Sequence, residues 1–298
     1  MWSLNKFFYI GIAMLLTPSF AGAEDKYADF SGVKIHYIDR GQGVPVVLLH
    51  GGTSSLNSWI NYGVVAKLEN DFRVIAMDAR GNGQSSKPHD PAAYGRQVSL
   101  DVVRLLDELK IRRAHIVGYS MGGNLVAQFL TLHPERFLSA TQIAGAGRSP
   151  STANDPRLEL EAAEIEKECI SRSRIVRQAG EIKPTEEQIQ RLMASCLANK
   201  DFDRYSVAAL VRSYPDLIVT PEQMRAVKVP TLGIVGSVDP ALKSMQALKD
   251  LRPNMTLVVV EGAPHSGPTG IQAWSGLAAV ITDFVRRHTQ LLWSHQGH

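Results

Sequence analysis

The chain has 298 residues, 44% of them hydrophobic, with 32 Lys and Arg against 29 Asp and Glu and a formal net charge of +3. That length and balance suit one α/β domain with an insertion and exclude a disordered or low-complexity chain. The basic residues form no stripe interleaved with aromatics, so no nucleic-acid partner is expected.

At the start, Lys6 stands in a short positive segment, Phe7 to Leu16 form an apolar run, Pro18 breaks it, and Ala21-Gly22-Ala23 supplies small residues. This is the pattern of a signal peptide over residues 1–23, cleaved before Glu24, and it predicts export to the periplasm or secretion. The apolar run is short for a permanent membrane helix and no second such segment follows, so no stable membrane anchor is expected.

From Val33 to about Gly147, strand-like and helix-like segments alternate, which predicts a mainly parallel central sheet with helices on both faces. The strand Val46-Val47-Leu48-Leu49 runs into His50-Gly51-Gly52. The strand Phe72 to Met77 runs into Asp78-Ala79-Arg80-Gly81-Asn82-Gly83-Gln84-Ser85. Gly41-Gln42-Gly43 precedes its strand, and Gly81-Asn82-Gly83 lacks a third glycine and the helix it should open, so both are turns rather than dinucleotide sites. Farther on, Val98, Val102, Leu105, Leu106 and Leu109 share a helical face toward the sheet, and Asp101, Arg104, Asp107 and Glu108 are expected to face water.

The stretch His115-Ile116-Val117-Gly118-Tyr119-Ser120-Met121-Gly122-Gly123 carries the most chemistry. An apolar strand breaks at Gly-x-Ser-x-Gly into a helix marked by Leu125, Val126, Phe129 and Leu130 and stopped at His133-Pro134. Glycines two before and two after Ser120 permit a sharp strand-to-helix turn that exposes its hydroxyl, a nucleophile elbow.

After Gln142 to Gly147 the alternation stops. Residues 148–227 are charged, strand-poor and helical, which predicts a helical cap inserted between two halves of a core formed by residues 24–147 and 228–298. Both cysteines, Cys169 and Cys196, fall in this insertion. Ile189, Leu192, Met193, Cys196 and Leu197 share a helical face, which suits two buried thiols; an oxidising compartment and a helical hairpin suit a disulfide equally.

Strands resume near Val229. Pro230 to Gly236 ends in Ser237-Val238-Asp239-Pro240, and Thr256 to Val260 runs into Glu261-Gly262-Ala263-Pro264-His265. Asp239 and His265 each occupy a loop beyond a strand's carboxyl end, in the order Ser, acid, His. Asp216 follows no strand and reads as a cap or loop residue. Of the 9 histidines, His265 alone is expected to follow a central strand at the place a base requires. His50 is better suited to shaping its loop by hydrogen bonding, His133 ends a helix, and His115 starts a strand.

With these motifs the chain resembles the α/β-hydrolase fold superfamily, in its group of small serine hydrolases with a cap. The resemblance implies Ser120 as nucleophile, His265 as general base, Asp239 as the acid that orients it, and the backbone N–H groups of Gly52 and Met121 as oxyanion hole. Asn82 stands where members often carry His, and Gly262-Ala263-Pro264-His265 replaces a common Gly-x-Gly-His; neither change removes a catalytic group. Trp59 and Tyr119 are candidate substrate-pocket residues.

The activity implied is cofactor-free hydrolysis of a small-molecule carboxylic ester through an acyl-enzyme. A lactonase, amidase, carbon–carbon bond hydrolase or cofactor-free perhydrolase would use the same triad, and a non-catalytic binding protein could keep the same fold. Serine at the elbow disfavours the dehalogenase and epoxide hydrolase branches, which use aspartate there. No metal site is expected, since neither His-Glu-x-x-His nor paired-cysteine zinc spacing occurs.

Overall fold

The computed structural model describes residues 24–178 and 183–294. The predicted signal peptide, residues 1–23, lies outside the described residues. Eight strands build the sheet: β1 (Lys26–Phe30), β2 (Val33–Arg40), β3 (Pro45–Leu49), β4 (Arg73–Met77), β5 (Ala114–Tyr119), β6 (Phe137–Ile143), β7 (Thr231–Gly236) and β8 (Thr256–Val260). They form an 8-stranded sheet in the order β1-β2-β4-β3-β5-β6-β7-β8. β2 pairs antiparallel with both β1 and β4, and every other pairing is parallel.

A strand's side chains alternate between faces, and a parallel sheet covered on both sides needs both sets apolar. β3 shows this directly. Val46 and Leu48 join Val74 and Ala76 of β4 in a core on one face, with Val64, Val65 and Leu68 of a short helix and Ile281, Phe284 and Val285 of the helix Leu277–Ser294. Val47 and Leu49 join Ile75 and Met77 on the other face, under the helices Arg96–Glu108, Met121–Leu132 and Leu242–Leu251.

Asp101 departs from the expected water-facing set. It is 1% exposed because Arg80, from the loop after β4, reaches it with Nε donating to Oδ2 at 2.6 Å and Nη2 donating to Oδ1 at 2.5 Å. A buried carboxylate is tolerated when so paired. β8 also differs from expectation: the strand that leads to His265 is the sheet's edge, not a central member.

Between β6 and β7 the chain forms the helices Arg157–Glu168, Arg172–Gln178, Glu186–Ala198 and Arg204–Arg212, a helical cap insertion in the sheet. Asp203 caps the last of these by accepting from the N–H groups of Tyr205 and Ser206. Ala162 and Ile165 of the first helix meet Val207, Ala208 and Val211 of the last, continuous with the core below. Arg212 locks the same two helices by pairing with Glu159 at 2.8 Å and Glu166 at 2.5 Å.

Cys169 and Cys196 are joined in a disulfide, which decides between the two readings of the pair. Ile189 is buried on the shared face, whereas Leu192 and Leu197 are exposed. Among the described residues, no helix is long and apolar enough to cross a membrane.

Candidate active site

Sheet order reverses direction between β3 and β5: the chain leaves β3 toward β4 on one side and returns to β5 on the other. Loops diverge at such a point and leave a crevice beyond the carboxyl ends of the strands. The loop after β3 carries Gly52, and the turn after β5 carries Ser120.

The elbow owes its shape to close backbone packing. Ser120 has φ 53° and ψ −108°, a conformation an L-residue holds only when its surroundings enforce it. Its N–H donates to the Ile143 carbonyl at 2.7 Å, tying the turn to β6. A methyl group on Gly118 would overlap the Gly122 carbonyl, and one on Gly122 would overlap that of Leu49. Both glycines of Gly-x-Ser-x-Gly are therefore fixed by close approach, since any side chain would push the elbow helix off the sheet.

Three side chains from separate loops converge here. Ser120 Oγ lies 2.9 Å from His265 Nε2, and His265 Nδ1 lies 2.9 Å from Asp239 Oδ2 and 3.0 Å from Oδ1. With the proton on Nδ1, that N–H donates to the carboxylate and Nε2 accepts from the serine hydroxyl. The Asp239 side chain is fully buried, and its Oδ1 also accepts from the Ala241 N–H at 2.7 Å. His265 keeps 35% of its side chain exposed. Asp216 lies elsewhere, in the turn Tyr214–Leu217, with its side chain packed against Gly95.

Gly52 lies beside the elbow, where a Cβ built on it would sit 3.8 Å from Met121 Cβ. Met121 is the first residue of its helix, so its N–H has no intrahelical acceptor and sits at the positive end of the dipole. Among the described residues, neither N–H donates to a protein acceptor.

His50 holds the loop that carries Gly52. It is 1% exposed, its Nδ1–H donates to the Gly51 carbonyl at 2.6 Å, and its Nε2 accepts from the Ala79 N–H at 3.1 Å. Both bonds suit the neutral ring, and burial pushes its pKa below the ordinary value.

Behind it lies a network that sequence reasoning missed. Asp78 accepts from Leu56 N–H at 2.6 Å, Gln84 N–H at 2.8 Å and His36 Nδ1 at 2.7 Å, while His36 Nε2 lies 2.9 Å from Asp25 Oδ1. Burial opposes ionisation of Asp78, yet the hydrogen bonds from His36 and from the Gln84 and Leu56 N–H groups bring its pKa below the ordinary value. Asp78 thus fastens the segment after the Gly52 loop to the end of β4. A motif search finds Asp78, but its partner on β2 carries no local signature.

The two candidate pocket residues have other places. Trp59 is fully buried, packed in the core on the face covered by the helix Leu277–Ser294, so it is a packing residue and not a pocket wall. It lies on the short helix Asn57–Asn61, and an aromatic of its size supplies much apolar burial to that core. Tyr119 is 6% exposed; its hydroxyl donates to the His265 carbonyl at 2.6 Å, and its ring centroid is 5.4 Å from the imidazole. It steadies the loop that carries His265. Neither residue lines the cleft of about 480 Å³ next to the Gly52 loop, which Thr53, Asn82 and Gln84 of the core share with Asn199 and Phe202 of the cap.

Among the described residues, no group of three or more His, Cys, Asp or Glu could hold a metal ion. The sheet, the cap and the strand-end constellation together define a hydrolase-type fold. A family model for the alpha/beta hydrolase fold matches residues 44–225, more than half the chain, and the protein belongs to that family.

Similar curated proteins include the 2-hydroxymuconate semialdehyde hydrolase of Pseudomonas sp. strain CF600, 36% identical over 121 residues, which are 40% of this chain and 42% of that protein. The bifunctional epoxide hydrolase 2 of Sus scrofa is 33% identical over 130 residues, 43% of this chain and 23% of its own. The match thus spans less than half the length of these relatives. Among solved structures, the enol-lactonase from Burkholderia xenovorans LB400 superimposes with TM-score 0.65 at 24% identity, covering 88% of this chain and 100% of its own. An epoxide hydrolase from Vigna radiata does so with TM-score 0.67 at 18% identity, covering 90% and 99%. At these identities the structural likeness establishes the fold.

Proposed function

We propose that the protein is a cofactor-free serine hydrolase that cleaves a carboxylic ester through an acyl-enzyme on Ser120. The observation that carries this reading is the unbroken hydrogen-bond chain from Ser120 Oγ through both nitrogens of His265 to Asp239. A serine hydroxyl attacks only when a base takes its proton, and an imidazole does so only in the correct tautomer. The Nδ1–H donated to Asp239 selects that tautomer and stabilises the imidazolium formed on proton transfer.

In this mechanism Ser120 Oγ bonds to the acyl carbon as His265 Nε2 accepts its proton. The carbonyl oxygen becomes an oxyanion held by the N–H groups of Met121 and Gly52, preset for a charge that exists only in the transition state. His265 returns the proton to the leaving alcohol. A water molecule, deprotonated in turn by His265, then releases the acid from Ser120. Serine at the elbow suits acyl transfer rather than epoxide opening: an acyl group on Ser120 is an ester that water opens to close the cycle, whereas attack of Ser120 on an epoxide would leave an ether that water does not open.

We further propose that the chain is exported and cleaved before Glu24, with residues 24–147 and 228–298 as core and 148–227 as cap. The disulfide supports export, because such bonds persist in oxidising compartments.

A fluorophosphonate probe tests the catalytic reading. It is expected to label the wild-type protein on the Ser120 peptide and to leave Ser120→Ala unlabelled. The same variant should lose ester hydrolysis by about three orders of magnitude or more. Normal turnover by folded Ser120→Ala would overturn the assignment.

A further inference from the structure

Two arginines, Arg148 beyond the carboxyl end of β6 and Arg174 in the cap helix Arg172–Gln178, stand without a carboxylate of their own among the described residues. The chain leaves β6 through Ala144, Gly145, Ala146 and Gly147. A Cβ on Gly145 would overlap the Ser120 carbonyl, so this segment packs on the elbow itself. Gly147 N–H then donates to Asn124 Oδ1 at 3.0 Å, one turn into the elbow helix. Arg148 comes next. Its carbonyl accepts from Val219 N–H at 2.9 Å, and its Cζ sits 3.5 Å above the Tyr214 ring.

The cap charges that act on Arg148 are Arg174 and Glu161. Glu161 is 4% exposed and already paired with Arg177. Asp155 is taken by Arg157 at 2.7 Å, and Glu164 by the hydroxyls of Ser171 and Ser173. Among the described residues, no carboxylate pairs with Arg148 or Arg174. Burial, reinforced by the Arg174 charge, pushes the Arg148 guanidinium below its ordinary pKa. Both side chains are half-buried, and like charges that act on each other repel, so an anion bound at Arg148 would relieve that repulsion.

We propose that Arg148, assisted by Arg174, binds a carboxylate carried by the substrate, so that the ester or lactone cleaved on Ser120 bears a second, acidic group. A guanidinium fork matches the two oxygens of a carboxylate, and stacking on Tyr214 presets its plane. Arg148 follows Gly145 by three positions, at most about 10 Å of chain, so it belongs to the same short segment that packs on the elbow.

This inference rests on the hydrolase reading, and the experiment separates the two. Wild type, Arg148→Gln, Arg148→Lys and Arg174→Gln are compared on mono-p-nitrophenyl glutarate and on p-nitrophenyl pentanoate, which has a similar chain length and no carboxylate. Wild type should prefer the glutarate ester. Arg148→Gln should lower the ratio of kcat/KM values, glutarate over pentanoate, by about tenfold or more, mainly through KM. Arg148→Lys should recover part of the ratio, and Arg174→Gln should lower it less.

An unchanged ratio in Arg148→Gln that still labels with the fluorophosphonate overturns the subsite and leaves the hydrolase standing. If wild type neither labels nor hydrolyses either ester, the hydrolase reading fails instead. The subsite is then read by calorimetric titration with glutarate, which should bind wild type and not Arg148→Gln; no binding to wild type overturns it.

Discussion

The edge of the core that carries Ser120 and the cap inserted after β6 are held together by different means. At the edge, backbone meets backbone: Gly122 lies so close to the Leu49 carbonyl that no Cβ fits, and Ser120 is forced to a positive φ by the turn it makes. In the cap, helices are joined by side chains, with Arg212 bridging Glu159 and Glu166 and a disulfide between Cys169 and Cys196. Backbone packing fixes atoms to fractions of an ångström, which the proton transfer proposed for Ser120 would require. Side-chain ties fix the cap helices to one another at a few points and leave the rest of their surfaces free of that constraint.

The difference is broken most sharply from the core side. Asp239→Asn can keep the Ala241 N–H bond through Oδ1 while its amide nitrogen replaces the acceptor of the His265 Nδ1–H, so the imidazole loses its tautomer and its charge partner. The expected loss in kcat is about 10⁴-fold, with little change in the thermal unfolding midpoint. Asp216→Asn, in the turn against Gly95, should hydrolyse esters like the parent. Steady-state kinetics on the two variants decide between them; the opposite outcome would move the orienting acid from Asp239 to Asp216.

From the cap side, the same comparison predicts a stability effect with a smaller catalytic one. The disulfide closes a loop with a sequence separation of 27, and the chain-entropy estimate for such a loop is about 3.5 kcal/mol. Cys169→Ser with Cys196→Ser, or mild reduction, should raise amide exchange in the helices Arg157–Glu168 and Glu186–Ala198 while β3, β5 and β6 stay protected. Exchange that rises equally in cap and sheet would show that the two regions unfold as one.

Legibility in the sequence follows the same division. The elbow, the Gly52 loop and the loops of Asp239 and His265 can be read because each is a short glycine-marked or strand-terminal pattern whose geometry is local. Trp59 could not be placed, since an aromatic between a strand and a helix has one local signature whether it faces a pocket or the core. Asp101 looked solvent-facing by helical period; only Arg80, arriving from another loop, makes its burial tolerable. The edge position of β8 depends on sheet order, which no single segment encodes. The disulfide required the cap helices to bring two positions together, and Tyr119 required the His265 loop to fold back onto its hydroxyl.

The smallest effect tests how far the rigid region extends. Asp25 is 55% exposed at the start of the described chain, yet its carboxylate reaches His36, which is buried against Asp78 behind the Gly52 loop. Burial alone would lower the His36 pKa, but the hydrogen bonds to Asp78 and Asp25 raise it above 6.5. A group whose folded pKa is raised stabilises the fold below its unfolded pKa and loses that contribution as pH rises through the folded value. Asp25→Asn should therefore lower stability at pH 6 by less than about 1 kcal/mol, since one partner is solvated. The deficit should shrink as pH rises above 6.5 and His36 becomes neutral. Urea midpoints for parent and variant at pH 6 and pH 9 measure it. A deficit equal at both values, or larger at pH 9, would mean that Asp25 acts by some route other than the charge on His36, and that the network behind the Gly52 loop ends at Asp78.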